Sequence, residues 1–166
     1  FKVADSQVAT RWGNITEFKG FDLVTPNERE ARFALADQDS NIGQLATCVK
    51  DATHCKNVIL KLGPRGIFFM NDALYHSVDS FTQDVKDAVG AGDALLAYAT
   101  LTMLATGSLV QACIIGSIAA ACECEYDGNI PIEPKRVLDK LQQVEKLARY
   151  HGKDSAESSS LQVKPQ

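Results

Sequence analysis

The feature that most constrains this chain is the run Asp87-Ala88-Val89-Gly90-Ala91-Gly92-Asp93, which passes directly into Ala94-Leu95-Leu96-Ala97-Tyr98. Two glycines this close together let backbone approach a ligand. The apolar helix-forming segment that follows supplies unpaired first-turn N–H groups and the positive end of a helix dipole. Together they make a cradle for an anion, with the carboxylate of Asp93 held beside it.

The rest of the chain reads as strands alternating with helices. Short strands are expected at Phe1–Ala4 and Phe21–Val24, and Thr25-Pro26-Asn27 then opens a helix over 28–36. A second helix is expected from about 42 to 51, with Leu45, Ala46 and Val49 on one face. Asn57-Val58-Ile59-Leu60-Lys61-Leu62 is apolar and β-branched, which suits a strand buried on both faces. Gly63-Pro64-Arg65-Gly66 turns the chain into a strand at 67–70, and Asn71-Asp72 closes a hairpin onto 74–77. After the cradle, a helix runs to Ala105 and stops at Gly107, with Ser108 capping the next. That next helix, 109–124, is apolar nearly all round and should lie deep. Asp127-Gly128-Asn129 is a turn. A last helix begins with Pro134 and places Val137, Leu138, Leu141, Val144 and Leu147 on one face. The polar stretch 151–166 reads as a disordered tail outside a domain spanning 1–150.

This pattern predicts a layered α/β domain with a largely parallel sheet flanked by helices. Ligands of such sheets sit at the carboxyl ends of the strands, where the turns after Val24 and Leu62 and the glycine cradle would meet. The length of 166 residues fits one domain. A net charge of −4 without a Lys/Arg run argues against a nucleic-acid partner. No apolar run is long enough to cross a bilayer and no signal peptide opens the chain, so no membrane role is expected. Five cysteines without C-x-x-C spacing suit reduced thiols in a cytoplasmic protein. The first residue is Phe, and the opening strand suggests a fragment or a processed chain.

A carboxylate beside an anion site is unfavourable unless it takes up a proton. The residue types therefore point to a hydroxyl that gives its proton to Asp93 and attacks a phosphoryl group whose developing charge the cradle holds.

Three stretches in register resemble the ribokinase-like (PfkB-type) family of sugar and nucleoside kinases. Asp87 to Asp93 is similar to its D-T-x-G-A-G-D signature, Thr25 to Glu30 to its T-P-N-x-x-E segment, and the strand and turn from Val58 to Gly66 to its T-x-G-x-x-G. The resemblance covers roughly residues 1 to 145. It implies a ribokinase-like fold, here without the N-terminal part and lid, that uses ATP and Mg²⁺. Asp93 would be the catalytic base, with the N–H groups of Gly90, Ala91, Gly92 and Asp93 as the anion hole. Asn27 and Glu30 would help place Mg²⁺, its waters and the phosphates. Lys61, Gly63 and Gly66 would pass close to the nucleotide, and the 116–121 face with Gly128 would flank adenine. Asp87 would lie beside a monovalent cation such as K⁺. A sugar or sugar phosphate is the implied second substrate, and a homodimer the implied state of the intact protein. Phe18 to Asn27 is most similar to the heptose 7-phosphate kinases of ADP-heptose synthesis, although no H-x-G-H signature of a nucleotidyltransferase is present. A ribokinase- or fructokinase-like kinase with another acceptor, or a non-catalytic nucleotide-binding relic, are the alternatives.

The chain departs from the family pattern at Ala88, where Thr is usual, and at Lys61, where Thr often stands. Each site residue also has a purely structural reading. Gly90 to Gly92 is also a tight turn. Asn27 with Glu30 three residues on is also a capping box, and both roles can coexist. Lys61 at a strand end is also a solvated edge charge. Cys122 and Cys124 read as small core residues, His54, His76 and His151 lack partners that suggest catalysis, and Trp12 reads as a cover for apolar surface.

Overall fold

The computed structural model describes residues 1–6, 15–126 and 131–160, with side chains as far as residue 150. Trp12, the 127–129 turn and the side chain of His151 lie outside the described residues. One sheet contains β1 (Val3–Ala4), β2 (Leu23–Val24), β3 (Asn57–Lys61), β4 (Ile67–Met70) and β5 (Tyr75–Val78), in that order. The β1–β2 and β2–β3 pairs are parallel, whereas β3–β4 and β4–β5 are antiparallel. The parallel character is thus confined to one half of a mixed sheet. Its physical reason is the link after β3: a single 3-10 turn at Gly63–Arg65 is far too short for a crossover, so β4 can only return antiparallel.

Strand alternation sends neighbouring side chains to opposite layers. Val24, Val58 and Leu60 pack with Ala31, Leu45, Ala46 and Val49 of α1 (Glu28–Leu35) and α2 (Ile42–Thr53). On the other face, Leu23, Ile59, Ile67 and Phe69 pack with Leu95, Ala99, Leu109, Ala112 and Cys113 of α3 (Ala91–Thr106) and α4 (Leu109–Cys124). The β3 residues Val58, Ile59 and Leu60 are fully buried, as a strand covered on both sides requires. The result is a three-layer α/β/α arrangement, with β3 central.

Local chemistry sets the helix ends. Asn27 and Asn41 each cap a helix and receive a reciprocal bond from the residue three positions on, Glu30 and Gln44. The Ser108 hydroxyl accepts from the Gln111 N–H at the start of α4, just after Gly107 ends α3. Most of α4 is buried, matching its apolar circumference. Against it and α3 packs α5 (Pro134–Ser160), through Val137 and Leu141. Leu138 and Leu147, expected on the same face, are exposed instead, because α5 covers one flank of α4 with a stripe too narrow to bury them. The backbone of α5 also stays helical to Ser160, into the stretch read as tail. Extending a formed helix costs far less than nucleating one, and Ala156 and Glu157 favour it.

Candidate active site

The carboxyl ends of β1, β2 and β3 bring together residues far apart in sequence. Asn27 forms a parallel bridge to Lys61, and the Lys61 N–H donates to the Pro26 carbonyl at 2.9 Å. Asp5 follows β1, and both its carboxylate oxygens accept from the Lys61 ammonium, Oδ1 at 2.7 Å and Oδ2 at 2.6 Å. Lys61 is therefore not the solvated edge charge that its strand-end position allows, since its side chain is 17% exposed.

Gly90 stands at φ 85° immediately before α3, a left-handed conformation that suits glycine and turns the chain into the helix. Ala91, Gly92 and Asp93 form the first turn. The Ala91 N–H is directed to the Ala88 carbonyl at 3.3 Å, whereas those of Gly90, Gly92 and Asp93 have no acceptor among the described residues. Unpaired first-turn donors can hold an anion. Gly92 faces the strand ends: a Cβ there would stand 3.1 Å from Lys61 Nζ and 3.6 Å from Asp5 Oδ2.

A cavity of about 550 Å³ joins these parts, within the range of small-molecule sites. Asn27, Glu30, Lys61, Gly63 and Gly66 line one side and Ala91 and Gly92 another, while Ser117, Ala120, Ala121 and Cys124 of α4 supply an opposing wall. Asp93 is exposed one residue beyond Gly92. Asp87 sits apart from the cavity lining, its Oδ1 accepting from the Val89 N–H at 2.9 Å and its own N–H directed to the Cys124 carbonyl. Gly128 lies outside the described residues. Within the 116–121 stretch the helix divides its work: Ser117, Ala120 and Ala121 face the cavity, while Gly116 packs against α3.

Asn27 and Glu30 form the capping box, with Asn27 Oδ1 accepting from the Glu30 N–H at 2.8 Å and Glu30 Oε2 from the Asn27 N–H at 2.9 Å. Burial pushes the Glu30 carboxyl above the usual range, against the Asn27 hydrogen bond and the charge of Lys61, which act downward. Among the described residues no three His, Cys, Asp or Glu side chains gather to hold a metal ion. The donor set thus does not fit an all-protein metal cage. It does fit a magnesium ion carried in on nucleotide phosphates, which keeps its waters and needs only one or two protein contacts. Glu30, lining the cavity with one carboxylate oxygen committed to the cap, could meet such waters.

Two participants had no usable signal in the sequence. Asp5 meets Lys61 across 56 positions, and nothing local to either residue marks the pair. The Ser117 hydroxyl is buried without a partner on the cavity wall, yet in sequence it is one small residue within an apolar helix.

Residues 5–136 match the family model described as pfkB family carbohydrate kinase. The chain is similar to the bifunctional protein HldE of Helicobacter pylori, with 29% identity over 109 residues, 64% of this chain and 24% of that protein. It therefore spans about a quarter of the length of the curated relatives it matches. Its structure resembles a ribokinase from Thermotoga maritima, with a TM-score of 0.66 and 25% identity over 74% of this chain and 42% of that one. A phosphofructokinase-2 from Escherichia coli in complex with potassium gives a TM-score of 0.75 at 19% identity, over 86% of this chain and 47% of that one, a likeness of fold.

Proposed function

The chain belongs to the pfkB family of carbohydrate kinases, and from that premise we propose that it carries the nucleotide-binding and catalytic half of an ATP-dependent sugar kinase. The observation behind this reading is the convergence of the β1, β2 and β3 ends with the first turn of α3 on one cavity. Asp93 is the base that accepts the proton of the acceptor hydroxyl as its oxygen attacks the terminal phosphoryl group. The unpaired N–H groups of Gly90, Gly92 and Asp93 meet the charge that develops on that group. Lys61, Gly63 and Gly66 line the nucleotide side, with the Ser117 to Ala121 wall toward adenine; Gly128, outside the described residues, is assigned to adenine from the family resemblance alone. Asn27 and Glu30 face the phosphates and the waters of the magnesium ion that ATP brings. Asp87 is assigned to the neighbourhood of a monovalent cation. Residues 1–150 make up this half, with 151–166 outside it.

The similarity to HldE and the Phe18 to Asn27 segment favour a heptose 7-phosphate as the acceptor. The likeness to ribokinase keeps a pentose as the competing acceptor. We assign the intact enzyme to the cytoplasm, a reading supported by the use of ATP proposed above and by five cysteines that form no disulfide; no helix among the described residues is long and apolar enough to cross a membrane.

The test is ATP turnover by the full-length gene product, wild type and Asp93→Asn, against heptose 7-phosphate, ribose and fructose 6-phosphate. Sugar-dependent turnover is expected, highest with the heptose. Replacing Asp93 should lower kcat by about 10²–10⁴-fold while the variant still binds ATP. No sugar-stimulated turnover by the wild type would sink the kinase reading. An undiminished Asp93→Asn rate would remove the base assignment alone.

A further inference from the structure

The Asp5–Lys61 pair is placed where a surface ion pair would have no reason to be. It joins the residue after β1 to the last residue of β3, lines the cavity through Lys61, and lies against Gly92 in the first turn of α3. An ammonium has three N–H donors. Two are taken by the carboxylate oxygens of Asp5, at 2.7 and 2.6 Å, and among the described residues no acceptor is found for a third. Both side chains are mostly buried, at 17% and 19% exposure, so the ammonium is held in one place.

We infer that Lys61 is the fixed cation that faces the phosphates of the bound nucleotide, and that Asp5 is a positioning residue that holds its ammonium against the anion cradle. This deepens the kinase reading and rests on it. Three features bear on the assignment. The remaining N–H of Lys61 belongs to the group next to Gly92, whose own backbone N–H is unpaired. Two acidic groups, Asp5 and Glu30, lie close enough to Lys61 to interact with it electrostatically. Without that ammonium, they would present an anionic floor to an anionic ligand. Finally, a Cβ at Gly92 would stand 3.1 Å from the ammonium, so a side chain there would press on Lys61 and shift it by a few tenths of an ångström. The Thr of the T-x-G-x-x-G pattern that this stretch resembles would supply no charge at this position.

A pair that served only to tie β1 to β3 would affect stability and leave ligand preference alone. The experiment therefore compares two ligands. Calorimetry measures binding of ATP and of adenosine, which has no phosphate, to full-length wild type, Lys61→Met and Asp5→Asn, with kcat and KM for ATP measured alongside. Lys61→Met should lose about tenfold or more in ATP affinity, as expected for a charge-assisted contact, with adenosine affinity unchanged. Asp5→Asn keeps the charge but frees it, so kcat should fall by about tenfold with a smaller change in KM. Should Lys61→Met fold poorly because Asp5 is left buried and unpaired, the double variant Asp5→Asn/Lys61→Met removes both charges and reads the same ratio. An ATP-to-adenosine ratio equal to that of the wild type, in a folded variant lacking Lys61, would overturn the assignment and leave the kinase reading intact. Absence of binding of either ligand by the wild type would overturn both.

Discussion

Gly116 of α4 meets Ala99 of α3 so closely that a Cβ on the glycine would stand 3.1 Å from the Ala99 Cβ and 2.9 Å from the Leu95 carbonyl oxygen. Helix α3 carries the anion cradle at its first turn and α4 carries the opposing cavity wall, so this crossing sets the width of the site. Gly116→Ala should therefore cost about 1–3 kcal/mol of stability by overpacking, measured by urea denaturation. Ala99→Gly should recover only part of the loss in the double variant, because the contact with the Leu95 backbone remains. Full recovery would mean that the backbone contact relaxes without cost.

Gly66 should be the least replaceable glycine of the nucleotide side, for a reason unrelated to nucleotide. Its φ is +82°, and a Cβ there would lie 2.0 Å from the Val78 carbonyl oxygen and 2.7 Å from both Asp79 C and Ser80 N. All three are backbone atoms of the segment leaving β5. Gly66→Ala should lower stability by roughly 3 kcal/mol or more. Gly63 has a φ of +62° but open space around it, so Gly63→Ala should cost less, chiefly backbone strain of about 1–2 kcal/mol. Thermal unfolding of the two variants under one condition tests the order, and a larger loss at Gly63 would contradict it.

The two roles of Asn27 separate by substitution. Asn27→Ala removes the cap and should cost about 1 kcal/mol, whereas Asn27→Asp retains an acceptor oxygen and should stay within a few tenths of wild type. An aspartate nonetheless adds a negative charge to the cavity lining. Asn27→Asp should therefore weaken ATP binding while leaving the unfolding midpoint nearly unchanged. Loss of both together would show that capping and ligand binding cannot be separated at this position.

Glu30 gives a pH dependence with a definite sign. Its folded carboxyl is raised above the ordinary value of 4.5, chiefly by burial. The folded chain then holds this proton more tightly than the unfolded chain. Its contribution to stability is fully present below the unfolded value and is lost as pH rises through the folded value. Glu30→Gln keeps the capping-box acceptor but cannot titrate. The stability of wild type relative to Glu30→Gln should thus be greatest below about pH 4.5 and decline as pH is raised from there. Paired urea titrations across pH 4–8 would show it, and a difference that grew with pH would refute it.

Much of the fold was legible because its signals are local. The β3 segment is apolar over consecutive positions, Asn27 and Asn41 stand three residues before Glu30 and Gln44, and Gly107-Ser108 punctuates two apolar helices. The hairpin from β4 to β5 was readable from its turn residues, and the separate short turn at Gly63–Arg65 after β3 makes the sheet mixed. The exposure of Leu138 and Leu147 was not legible, since periodicity shows which residues share a face and not how wide a partner that face will find. The reach of the α5 backbone to Ser160 was missed for a related reason: composition measures the tendency to begin a helix poorly when one already runs in from upstream.

By itself the sequence determined the chemical parts: a glycine-flanked helix start with Asp93, a capped helix at Asn27 and Glu30, and a buried strand that ends at Lys61. These follow from backbone freedom, hydrogen-bond capping and apolar patterning, all of which act over a few residues. Only the tertiary structure decided that Asp5 would seize Lys61, that Gly92 would leave room for its ammonium, and that Ser117 would face the cavity while Gly116 faced Ala99. The anion cradle is a local motif, but the charge beside it is a product of the sheet: parallel pairing of β1, β2 and β3 puts their carboxyl ends side by side, and no short-range pattern in the chain encodes which side chains then meet.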